Sequence, residues 1–118
     1  MHSYETIDLG TYRGDSYFLT GFVEPDPSDY AEFDPDKDAE EYGVTLARSS
    51  AHPLQENTQI VRMDTAHGTP HLDRVYLPPD ADEDTKVWLK EGYDYHRMRT
   101  YLLKNWKAFV DQYILHNE

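Results

Sequence analysis

The chain has no cysteine, only five lysines and no long apolar run among its 118 residues. Without cysteine there is neither a disulfide framework nor a thiolate metal site, so any metal would have to be held by histidine and carboxylates. No stretch approaches the roughly 18 apolar residues of a membrane span, and the opening MHSYETIDLG has neither the basic nor the apolar region of a signal peptide. A cytoplasmic protein with no membrane partner is expected. Against 11 basic residues stand 23 acidic ones, a formal net charge of −12.

Self-repulsion at that charge disfavours a compact state in dilute buffer, and molar salt screens it to a Debye length of about 3 Å. The pattern resembles that of a haloarchaeal, halophilic proteome, and it weighs little for or against a nucleic-acid partner. Its distribution is uneven, with only four acids and six bases in residues 85–118. The apolar fraction is a low 38%, yet 14% of the chain is aromatic, more than a chain with too little to bury would carry. One folded domain spanning 1–118 fits this length.

Tyr4–Tyr12 and Ser16–Glu24 have strand composition and flank the turn Arg13-Gly14-Asp15, which predicts an opening hairpin. From Pro25 to Glu41, three prolines and eight acids predict an acidic loop with one short helical turn near Tyr30–Phe33, because proline interrupts regular structure and acids cannot bury a face. Tyr42–Ser50, Thr58–Thr65 and Leu72–Leu77 are β-branched or alternating and predict three further strands. Short connections without intervening helices favour an antiparallel meander. Thr85–Lys90, preceded by an acidic connector suited to a helix start, predicts a short helix. Tyr95, Met98, Leu102, Trp106, Phe109 and Tyr113 recur at spacings of three and four, predicting an amphipathic helix over about 93–117. The expected fold is α+β: an antiparallel sheet of about five strands under one long helix, a two-layer sandwich.

One polar cluster stands out. Arg62, Asp64, His67, His71 and Asp73 fall within twelve residues joining two predicted strands. Side chains repeat every two residues along a strand, so Arg62 and Asp64 share one face and His71 and Asp73 share another, and the two pairs can converge. Gly68 and Pro70 supply the turn. Three chemistries fit. In the first, one imidazole takes a proton from an RNA 2′-hydroxyl, the other protonates the leaving oxygen, and Arg62 stabilises the developing phosphorane, with Asp64 and Asp73 orienting the rings. In the second, His67, His71 and a carboxylate hold a divalent ion. It ranks lower, because His-x-x-x-His brings its rings together on a helix, which Gly68 and Pro70 oppose; no metal or cofactor is expected. In the third, the cluster is a cross-strand ion-pair set that holds the loop in shape within a non-catalytic binding or regulatory module.

The string from Arg62 to Asp73 resembles the R-x-D-x-A-H-G-x-x-H-x-D hallmark of a family of small uncharacterised archaeal and bacterial proteins, whose last helix carries a pair like Asn105-Trp106. More loosely, its A-H-G-x-x-H part is similar to TumE-family toxins, RNA-targeting partners of helix-turn-helix antitoxins. The resemblance covers about fifteen residues closely. It implies a compact α+β fold and a toxin–antitoxin role with an antitoxin protein as partner, and Asp64, His67, His71 and Asp73 are the matched positions. The acidic segment 25–41 departs from the pattern.

The final helix adds Arg97, Arg99, Lys104 and Lys107, beside Tyr93, Tyr95 and Tyr101 that offer faces for stacking on bases. The plainer reading is a solvated helix face, with Arg99 reaching across to an acid of the sheet. The leading expectation is an RNA-directed protein, a metal-independent ribonuclease of a toxin–antitoxin pair. The binding module and the metal-dependent enzyme are its alternatives.

Overall fold

The computed structural model describes residues 1–50, 57–65, 69–77, 86–89 and 92–117. His67 and Gly68 therefore lie outside the described residues, as do Thr85 and Lys90 at the ends of the expected short helix. The elements in chain order are β1 (His2–Tyr12), β2 (Asp15–Glu24), a 3-10 turn (Pro27–Asp29), α1 (Pro35–Asp38), β3 (Glu41–Arg48), β4 (Thr58–Asp64), β5 (His71–Asp73), β6 (Lys86–Trp88) and α2 (Tyr95–Asn117).

The strands form one antiparallel sheet in the order β1-β2-β3-β4-β5-β6, with α2 packed against it. The α+β sandwich is thus as expected, with one strand more. Lys86–Trp88, expected to be helical, pairs with β5 instead: β-branched Val87 and aromatic Trp88 suit a pleated edge better than a helical turn. The fifth strand is also shorter than expected, ending at Asp73 where a turn closes with Leu77 N–H donating to Arg74 O at 3.1 Å. The acidic loop holds two helical turns rather than one near Tyr30–Phe33: the 3-10 turn at Pro27–Asp29 and, after it, α1 at Pro35–Asp38. Asp34 fixes α1 there, its side chain accepting from Asp36 N at 3.0 Å, while Pro35 occupies the first helical position, where no backbone donor is needed.

The opening hairpin turns on Arg13 and Gly14, both with positive φ (50° and 89°), the backbone a two-residue turn between right-twisted strands requires. β1 is an edge strand interrupted by register shifts between Ser3 and Glu5 and between Asp8 and Gly10. At the second, Gly10 has φ 86° and its N–H donates to Asp8 Oδ1 at 2.8 Å.

Strand parity sorts the sheet's residues between its faces. Leu19, Val44, Leu46, Val61, Met63 and Leu72 form one buried core with Met98, Leu102, Trp106 and Val110 of α2. Complete burial of one such Leu or Val contributes roughly 1.5–3 kcal/mol. α2 begins where Asp94 accepts from Arg97 N at 2.8 Å, an N-cap bond. Its first buried residue, Tyr95, lies so close to Gly21 that any Cβ there would overlap the phenol oxygen. That phenol donates to Glu5 of β1 at 2.5 Å, and Arg99 bridges to the same carboxylate at 3.1 Å. Burial and the Glu5 hydrogen bond push the Tyr95 hydroxyl well above the ordinary phenol range. Among the described residues no helix is long and apolar enough to cross a membrane.

Candidate functional site

The sheet face turned away from α2 carries two adjacent cross-strand rows. One runs Thr45, Arg62, Asp73, Lys86; the next runs Gly43, Asp64, His71, Trp88. Because β4 and β5 are antiparallel, the pair Arg62/Asp64 and the pair Asp73/His71 lie directly opposite each other, which is the convergence that alternation predicts.

The contacts are dense. Arg62 Nε lies 3.0 Å from Asp64 Oδ2, and Nη2 lies 3.2 Å from Asp73 Oδ2. His71 Nε2 lies 3.0 Å from Asp64 Oδ1 and 3.3 Å from Asp73 Oδ2, while Nδ1 lies 3.0 Å from the carbonyl oxygen of Thr69. A carbonyl and a carboxylate only accept hydrogen bonds, so each ring nitrogen of His71 faces acceptors alone. His71 is 2% exposed and the Asp64 side chain 5%, whereas the Arg62 side chain is 44% exposed. Asp64 and the imidazole are therefore interior, Asp73 is partly buried, and the guanidinium is the most exposed member. With Nε and Nη2 committed, Nη1 is the nitrogen left without a partner among the described residues.

Two further residues complete the edge of this face. Trp88, 59% exposed, sets its ring edge against His71 with centroids 5.5 Å apart. Lys86 Nζ stands 5.5 Å from the Trp88 ring centroid and 4.0 Å from Asp73 Oδ1.

Gly43 makes room for the centre, because a Cβ there would come 2.7 Å from the Asp64 Cβ and 2.9 Å from the Met63 carbonyl oxygen. A glycine inside a strand is the sequence signal for such a close approach. Trp88 and Gly43 were not among the expected site residues, and Trp88 went unnoticed because its segment read as helix.

Donor atoms of Asp64, His71 and Asp73 lie within 4.8 Å of one another, as do those of Asp34, Asp36 and His96. Either set has the chemistry to hold a divalent ion. In the first, Arg62 already pairs with both carboxylates. In the second, His96 Nδ1 pairs with Asp36, tying the acidic loop to the start of α2 and keeping His96 away from the sheet cluster.

The four basic residues expected on the helix have different surroundings. Arg99 is turned inward to Glu5, with its Nε buried. Arg97 donates from Nη1 to Gly92 O at 3.0 Å and stacks on Tyr93 at 4.6 Å. It shares a shallow groove with Lys104 and Tyr101, while Lys107 lies over the rings of Tyr12 and Trp106 at 5.4 and 5.7 Å.

No curated protein and no solved structure matches the chain. A family model described as "Domain of unknown function (DUF7718)" matches residues 29–118, which include β3 to β6, α2 and the whole polar cluster but not the β1–β2 hairpin. That match spans well over half of the chain, and the protein belongs to this family.

Proposed function

We propose that the protein is an RNA-binding protein that meets a single-stranded segment on the sheet face opposite α2. The observation that carries this reading is the state of Arg62: a guanidinium held by two carboxylates, yet 44% exposed and with Nη1 uncommitted among the described residues. A fixed, partly exposed guanidinium is suited to a phosphate oxygen. Lys86 adds a second cation, and Trp88 beside it presents an aromatic face on which an unpaired base can stack, a contact that contributes about 1–3 kcal/mol per base.

His71 supports binding over cleavage. A general acid or base exchanges its proton with substrate, and a ring 2% exposed with both nitrogens engaged instead holds Asp64 and Asp73 around Arg62. The ribonuclease reading, with His67 meeting the 2′-hydroxyl and an antitoxin as partner, is the second. It draws on the Arg62–Asp73 string.

Fluorescence anisotropy with a labelled single-stranded RNA, at several potassium chloride concentrations, tests the first reading. Wild type should bind with an affinity that falls as salt rises. Arg62→Met and Trp88→Ala should each weaken binding about tenfold or more, as loss of one charge-assisted contact or one stacked base implies. Absence of binding by wild type, or affinities unchanged in both variants, sinks it. Expressing wild type beside His67→Ala and His71→Ala in a salt-tolerant host separates the second reading. Intact RNA and normal growth in all three removes cleavage, whereas RNA loss confined to wild type establishes it.

A further inference from the structure

The helix side of β5 and β6 holds a second feature. Between this sheet edge and α2 opens a cleft of about 390 Å³, within the range typical of small-molecule sites. Leu72 and Val87 line it from the sheet, Tyr101, Asn105 and Phe109 from the helix, and Arg74 from the turn after β5. The helix residues repeat at spacings of four, forming a stripe beside the one that faces the core.

Arg74 gives the cleft its chemistry. The residue is half-buried: its Nε is shielded and has no hydrogen-bond partner among the described residues, and the side chain, which lines the cleft, enters no ion pair there. Carboxylates outnumber basic groups 23 to 11 in this chain, so partners are abundant. A cation left unpaired against apolar and aromatic walls marks the place where an external anion completes the set. The ring contact between Tyr101 and Phe109, with centroids 6.1 Å apart, provides edges and faces for a flat occupant.

We infer that this cleft binds a small planar aromatic carboxylate, its ring between the Leu72/Val87 floor and the Tyr101/Phe109 wall and its carboxylate on Arg74. The inference is independent of the RNA-binding reading, which uses the opposite face of the same strands.

Isothermal titration calorimetry with 2-naphthoate as probe, and uncharged 2-naphthamide as its control, tests it on the full chain. Wild type should take up 2-naphthoate at one saturable site and bind 2-naphthamide at least about tenfold more weakly, since a charge-assisted hydrogen bond accounts for about that ratio. Arg74→Met should lose that preference and bind both probes alike. Ala108→Trp, which places an indole at the lip of the cleft, should abolish uptake while its circular dichroism stays native. No saturable uptake by wild type, equal affinity for the two probes, or undiminished uptake by a folded Ala108→Trp would each overturn the proposal.

Discussion

The two faces of β5 and β6 handle charge in opposite ways. On the face away from α2, Arg62, His71, Asp64 and Asp73 pair with one another within 3.3 Å at every contact. On the helix side, Arg74 stands half-buried, its side chain in no ion pair among the described residues. The difference separates two uses of an interior polar group. A closed, balanced set holds backbone in register and exposes only its outermost member, whereas an open, unbalanced one is completed by something from outside.

Breaking the closed set should have the largest effect. Asp64→Ala leaves the buried His71 ring and the Arg62 guanidinium each short of a carboxylate, and removing one member of a buried ionic set costs about 3–5 kcal/mol. Urea unfolding monitored by circular dichroism should show that loss.

An intermediate effect is expected at the half-buried set Tyr95, Glu5 and Arg99. Tyr95→Phe removes the hydroxyl bond to Glu5 and should cost about 1–1.5 kcal/mol at neutral pH. The sign of its pH dependence follows from the raised hydroxyl. Above the ordinary phenol value of about 10, the unfolded chain ionises Tyr95 while the folded chain keeps it protonated, so that contribution is present below about pH 10 and declines as pH rises beyond it. Unfolding midpoints measured from about pH 8 to 11 should therefore fall more steeply for wild type than for Tyr95→Phe.

The open set should give the smallest effect on stability. Arg74→Met removes an unsatisfied donor and keeps an aliphatic stem against the cleft, so the unfolding free energy without ligand should stay within about 0.5 kcal/mol of wild type. A loss comparable to that of Asp64→Ala would erase the contrast between the faces.

Much of this architecture is legible in the chain because it rests on short-range pattern. The α2 stripe from Tyr95 to Tyr113 and the alternation around Arg62–Asp64 and His71–Asp73 specify which residues share a face, and short connections specify neighbours. The pairing of Arg99 with a sheet acid follows from its place beside the apolar stripe. What eluded the sequence depends on distance in space. Three residues, Lys86–Trp88, are too few to display a period, and the acids before them mimic a helix start. Gly21 and Gly43 matter only because Tyr95 and Asp64 lie against them, a fact of tertiary packing. The cleft at Arg74 likewise exists only once β5, β6 and α2 have met.

The irregular outer strand has a consequence for how the protein behaves in a crowded solution. A continuous row of free amides along β1 would invite another chain to extend the meander indefinitely. Two dislocations in its spacing, one of them pinned by the Asp8–Gly10 bond, leave no straight stretch long enough for such growth, so the molecule resists fibre-like stacking on the side where its barrier would otherwise be lowest.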